Sequence, residues 1–124
     1  MRKFIYAATP FRMENLKEKI CDFIQNKGHF PLHPFNTFPM SRYNYDNFTR
    51  EEIMKVCYGV VKLSDELWIF GLGSGSFDEW LKAKEIEIPR RSFVKEFDPD
   101  WEEGSKKEKY GLKYPGLLKE ILST

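Results

Sequence analysis

Glu79 is the residue of this sequence best placed to do chemistry. It ends the stretch Gly71-Leu72-Gly73-Ser74-Gly75-Ser76-Phe77-Asp78-Glu79, where three glycines separate an apolar, β-prone segment from a helix-patterned one. Glycines there let the backbone approach a ligand and adopt positive φ, and the free amides of a helix start favour anions and polar oxygens. A carboxylate in the first turn of that helix would feel the positive end of the macrodipole, which favours its ionised form. Ionised and directed into a crevice, Glu79 can attack an anomeric carbon and form a covalent glycosyl intermediate. The same letters also spell a capping box, with Ser76 as cap and Glu79 closing it. Sequence physics therefore leaves two roles for one side chain. The stretch is not a Walker loop, because no Gly-Lys-Ser/Thr follows, and it lacks G-x-G-x-x-G spacing after the first strand.

Other candidates are more ambiguous. Five rings, Phe35, Phe38, Tyr43, Tyr45 and Phe48, crowd one loop. Rings beside a crevice can stack on a flat heterocycle, at about 1–3 kcal/mol per base by nucleic-acid analogy. They can equally pack against their own domain or a second subunit. Asp46 and Asn44 among them can hydrogen-bond a sugar hydroxyl, and both are ordinary turn residues. Arg12 can pair with a carboxylate or phosphate or stay solvated at a helix start. His33, ahead of Pro34, shows no partner in the sequence, and a structural role is expected for it. Cys21 and Cys57 make no CxxC and fall in helix-patterned segments, which predicts buried thiols in a reducing cytoplasm. His29 and His33 are the only histidines and have no cysteine near them, so no metal and no cofactor are expected. The Lys106, Lys107, Lys109 cluster sits beside Glu102, Glu103 and Glu108 and reads as a solvated face.

The elements that position these residues follow from periodicity. Lys3 to Ala8 is a short β-prone run stopped by Thr9-Pro10. Leu16, Ile20, Phe23 and Ile24 recur at helical spacing between Met13 and Gln25, and Asn26-Lys27-Gly28 ends that helix. His29 to Leu32 reads as a brief second strand, followed by the aromatic loop to about Asn47. Thr49 and Glu52 form a capping box ahead of a helix carrying Ile53, Val56, Cys57 and Val60, to about Lys62. Glu66 to Gly71 has the continuous apolar centre of a strand buried on both faces. A third helix is expected from about Phe77 to Glu87, closed by Pro89, then a fourth strand at Ser92-Phe93-Val94. From Asp98 to Thr124 the chain is a polar extension with an apolar helical patch at Leu117, Leu118, Ile121 and Leu122.

Strands alternating with helices imply parallel βαβ units. The fold class expected is α/β: a small flavodoxin-like or Rossmann-like three-layer domain, its parallel sheet of four or five strands having the first and third adjacent. Ligands of such sheets bind at the carboxyl ends of the strands where strand order reverses, here between Tyr6–Arg12 and Gly71–Glu79. The 124 residues suit one domain. Lys and Arg total 20 against 19 for Asp and Glu, a balance that excludes the electrostatic footprint of a dedicated nucleic-acid binder. No apolar run approaches the roughly 20 residues of a membrane span, and the N-terminal apolar run is too short for a signal peptide. A cytoplasmic protein is expected.

Three stretches resemble the nucleoside 2-deoxyribosyltransferases and their relatives that hydrolyse deoxynucleoside monophosphates. Phe4-Ile5-Tyr6-Ala7-Ala8-Thr9-Pro10-Phe11 is similar to that family's first strand, "IYLAGPF". Pro31-Leu32-His33-Pro34-Phe35 is similar to its second strand and exit. Ser64 to Phe70, followed by Gly75 and by Glu79 ahead of Ala83, is similar to the strand, loop and helix that hold its nucleophile. The resemblance spans roughly residues 3 to 95. It implies that Glu79 attacks C1′ of a deoxyribose, that Tyr6 orients that carboxylate, and that Asp46 assists at the base or sugar. Thr9, Pro10, Phe11, Arg12, Phe35, Gly73, Ser74, Gly75 and Ser76 would then line the substrate, a nucleoside or nucleotide. It also implies a homodimer or higher homo-oligomer, in which the Leu117–Leu122 patch either completes a neighbour's site or packs on its own sheet. Three positions depart from the pattern. The transferase aspartate six residues before the nucleophile is Gly73 here, the serine of phosphate-recognising relatives is displaced by one to Ser74, and Asp78 is extra. A binding module that holds a nucleotide-like ligand without turning it over is the alternative.

Overall fold

The two central strands of the sheet are buried on both faces, because most of their side chains are apolar, whereas the edge strands are only partly covered. The computed structural model describes residues 2–34, 48–102 and 116–124. Strand β1 is Phe4–Ala8, β2 Phe30–Leu32, β3 Glu66–Ile69 and β4 Arg90–Ser92. They form one parallel sheet in the order β2-β1-β3-β4, with Tyr6 in register with Leu32 on one side and Leu67 on the other. The first and third strands are adjacent, as the alternation of elements implies.

Helix α1 (Lys17–Asn26), preceded by a 3₁₀ segment Phe11–Leu16, covers one face. There Ile5, Ala7, Trp68 and Phe70 meet Ile20 and Ile24, and Phe23 sets its ring edge-on to Trp68, Phe70, Phe93 and Phe97. Helices α2 (Arg50–Leu63) and α3 (Ser74–Glu85) cover the other. Tyr6, Ala8, Leu67 and Ile69 meet Cys57, Val61, Phe77, Trp80 and Ala83 there. The period-two alternation of β1 thus divides its residues between two cores, giving three layers. After β4 comes the short α4 (Val94–Phe97), and α5 (Leu117–Leu122) seats Leu117 and Ile121 in the α2–α3 core of its own sheet. Glu120 ties α5 down by bonds of 3.2 Å to both Lys84 and Arg90. Among the described residues no helix is long and apolar enough to cross a membrane.

Several boundaries differ from the sequence expectation. The fourth strand lies at Arg90–Ser92, ahead of Ser92-Phe93-Val94. Phe93 still donates to Ile69 O at 2.9 Å, but Val94 already begins α4. The helix expected from Met13 starts at Lys17, because Met13 (φ −107°, ψ 18°) is not helical. The third helix begins at Ser74, ahead of Phe77, for a reason found in Ser76 itself (below). The Thr49–Glu52 capping box forms in both directions, at 3.1 Å and 2.9 Å. Cys57 is buried, whereas Cys21 is only half-buried, so one of the two thiols departs from expectation.

Two glycines of the loop after β3 are required by close approach. A Cβ on Gly71 would come within 2.3 Å of Met13 Sδ and 2.7 Å of Pro10 Cδ, and one on Gly73 within 2.8 Å of Pro10 Cβ. The rigid proline ring cannot yield. Gly71→Ala is therefore expected to destabilise by about 1–3 kcal/mol, read as a lower urea midpoint at unchanged slope. Gly59→Ala, in the middle of α2 with nothing within 4 Å of the new carbon, is expected to gain roughly 0.5–1 kcal/mol. Equal midpoints for the two variants would contradict this account.

Candidate functional site

Helix α3 is capped from inside. Ser76, the third helical residue, accepts from Gly73 N at 3.0 Å and donates to Gly71 O at 2.8 Å. That hydroxyl folds the loop over the helix start, so helical backbone begins at Ser74. Glu79 consequently lies in the second turn, beyond the reach of a capping box with Ser76. No acidic residue sits in the first turn, and the capping role for Glu79 is not realised.

Its side chain instead joins Ser76, Phe77, Trp80 and Ala83 on the buried face of α3, at 4% exposure. There the Tyr6 hydroxyl of β1 donates to Glu79 Oε2. The buried Cys57 thiol of α2 lies in the same cluster as Tyr6 and acts electrostatically on Glu79. Three polar side chains from three elements thus meet inside an otherwise apolar cluster.

The electrostatics follow from that enclosure. Burial pushes the Glu79 carboxyl up to about 8, and the Tyr6 and Cys57 side chains hold it from rising further. Asp78 adds to the rise and Arg50 opposes it. Burial, then the charge of Glu79, also raises Tyr6 well above its ordinary value and Cys57 to about 12. At neutral pH the protonated form of Glu79 predominates. The expectation that the macrodipole keeps it ionised does not hold, because that field fades beyond the first turn while desolvation acts in full.

The remaining candidates divide. Thr9 is buried at the end of β1, with its Oγ1 3.2 Å from both Ala7 O and His33 Nε2. His33 therefore has the partner the sequence did not disclose. Burial, helped by the positive charge of Lys17, lowers its pKa to about 3 and keeps it neutral. Pro10 fills the space beneath Gly71 and Gly73, while Phe11 stands half in solvent. Arg12 makes a two-pronged bond to Asp98, at 2.9 and 2.6 Å, and donates to Leu72 O at 2.9 Å. Ser74 and Gly75 form the first turn of α3. Two amides of the glycine loop are already engaged, Leu72 N by Asp98 Oδ2 at 2.9 Å and Gly73 N by Ser76. Phe35 and Asp46 lie outside the described residues, as do Phe38, Asn44, Tyr43, Tyr45 and the Lys106–Lys109 cluster. Phe48 is exposed.

Sequence reasoning missed two residues. Asp98, which the sequence analysis places only at the start of the polar extension, is 2% exposed and ties the loop after β3 through Leu72 N and Arg12. Burial would raise its pKa, but Arg12 and the amides of Leu72 and Asp100 outweigh that and hold it below the usual value. Cys57 showed its apolar spacing but not its polar company. Between α2 and α3 an open groove of about 760 Å³ is bordered by Arg50, Met54, Tyr58, Asp78 and Lys82. Asp78 faces this groove and pairs with Arg50 at 2.8 Å, one residue from Glu79 on the inside. No group of three or more metal-ligating side chains is found among the described residues.

Comparison with protein-family models, with curated proteins and with solved structures finds no match to this chain.

Proposed function

We propose that the protein cleaves, or transfers across, the N-glycosidic bond of a nucleoside or nucleotide, with Glu79 as nucleophile and Tyr6 as its orienting partner. The observation that carries this reading is the Tyr6–Glu79 hydrogen bond between β1 and α3. These two elements flank the point where strand order reverses, the usual ligand crevice of such sheets. It agrees with the chemistry implied by the resemblance to the nucleoside 2-deoxyribosyltransferases. Glu79 loses its proton, its carboxylate oxygen bonds to C1′, and the C1′–N bond breaks as the base departs with its electron pair and takes up a proton. Tyr6 holds Oε2 throughout. The glycosyl ester is then opened by an acceptor base, giving transfer, or by water, giving hydrolysis.

Chromatography of free base after incubation with deoxynucleosides and their monophosphates, with and without an acceptor base, tests this. Glu79→Gln is expected to reduce release by roughly 10³-fold or more, and the wild-type rate to climb as pH rises toward 8, since only the ionised carboxylate attacks. No release by wild type, or undiminished release by the variant, rejects the enzyme. The second reading is a nucleotide-binding module on the same fold. It is favoured by the protonated state of Glu79 at neutral pH and by the departure at Gly73. Calorimetric binding of a nucleotide without any product supports that reading.

A further inference from the structure

The proposed reaction makes no use of the open groove between α2 and α3. Four cationic side chains border it, Arg50, Lys55, Lys62 and Lys82, against two acidic ones, Glu51 and Asp78. Arg50 is paired with Asp78 at 2.8 Å, and Lys82 with Glu85 at 3.4 Å. Lys55 and Lys62 are exposed on α2 and have no ion pair or hydrogen bond among the described residues. Two helical turns separate them, so they share a face and stand about 10 Å apart along the axis. Between them lies Gly59. Its φ is not positive, and a Cβ placed on it would meet nothing within 4 Å. Neither the backbone nor the chain's own packing therefore calls for a glycine there, although glycine inside a helix is destabilising relative to alanine. What the missing side chain provides is bare helix backbone lining the groove, next to Met54 and Tyr58, which the main chain of another molecule can approach closely.

We propose that this groove binds a short, extended acidic peptide, its backbone lying over Gly59 and its carboxylates on Lys55 and Lys62. The spacing selects the occupant. A single phosphate or carboxylate cannot reach across about 10 Å, whereas two carboxylates three residues apart in an extended chain span it, at roughly 3.3–3.4 Å per residue. A volume of about 760 Å³ accommodates a ligand of that size. Glu51 and Asp78 on the same walls repel a continuous phosphate backbone, which disfavours nucleic acid. A second copy docking through this face is opposed as well, because a two-fold contact about Gly59 sets Lys55 of one chain against Lys62 of the other.

The test is fluorescence anisotropy of the full chain with labelled peptides in which two glutamates flank apolar residues at separations of one to five positions. Binding is expected to be tightest at a separation of three and to weaken as salt is added. Lys62→Glu is expected to weaken it by about tenfold or more. Gly59→Leu, which fills the space over the helix backbone, is expected to do the same while melting no lower than wild type, since leucine favours the helix. No binding by any peptide of the series, affinity independent of the separation, or affinity indifferent to either substitution overturns the proposal. So does a single-stranded oligonucleotide that binds the groove more tightly than the peptides, or self-association of the chain that Gly59→Leu abolishes. Base release by both variants is expected to match wild type, so failure of the enzymatic reading and failure of this inference are told apart.

Discussion

Glu79→Gln is expected to stabilise the protein by up to about 5 kcal/mol at pH 9 and by almost nothing at pH 4. The carboxyl titrates at 4.5 in an ordinary setting and at about 8 in the fold. Below the lower value it is protonated in folded and unfolded chains alike, and its burial involves no charge. Between the two values unfolding releases a proton, so each step up in pH favours the unfolded chain. Above about 8 the full penalty has accumulated, at about 1.4 kcal/mol for each tenfold difference in proton affinity. Glutamine keeps the shape and still accepts from Tyr6, but never ionises. Urea unfolding of both proteins between pH 4 and 9 should therefore show curves that converge in acid and separate in base. Parallel curves would mean that Glu79 is not held in a dry environment. A variant at once more stable and inactive would be the usual signature of a side chain retained for function at a cost in stability.

Asp98→Ala is expected to lower stability by about 2–4 kcal/mol, on the order of 10 °C in melting temperature. The carboxylate side chain is wholly buried, whereas Arg12 is 37% exposed. The figure therefore lies below that of a fully enclosed ion pair, where removing one partner strands the other. Beyond the charge, the mutation leaves Leu72 N without its acceptor and frees the turn at Asp100. The loop after β3 would loosen just where Pro10 and Met13 lie against its glycines. Asp98→Asn keeps the shape and part of the bonding, and a smaller loss is expected for it. Calorimetry of the three proteins at neutral pH decides, and an alanine variant melting with the wild type would show that the Arg12–Asp98 pair carries no structural weight.

Much of the framework was legible in one dimension because its causes are local. The run Ile5-Tyr6-Ala7-Ala8 and the apolar Leu67-Trp68-Ile69 declare strands covered on both sides, and the Thr49–Glu52 reciprocity declares a helix start. Alternation of those elements then allows few topologies, and the parallel β2-β1-β3-β4 sheet is among them. Element ends were less legible where a side chain reaches along the chain to alter the backbone. Ser76 caps its helix from the third position, moving the start to Ser74 and taking Glu79 out of the first turn.

The sequence by itself determined the residue types, their periodicity and hence the α/β layering, including the placement of Tyr6 and Glu79 on elements beside one switch point. Only the tertiary structure decided what those residues experience. It set Glu79 against Tyr6 and Cys57, 73 and 22 positions away in the chain, tied Arg12 to Asp98, and filled the space under Gly71 with Pro10 and Met13. The physical reason is that strand and helix patterns follow from neighbours within a few residues, whereas desolvation and hydrogen-bond partnership are properties of the enclosed volume, created only when distant segments close around it.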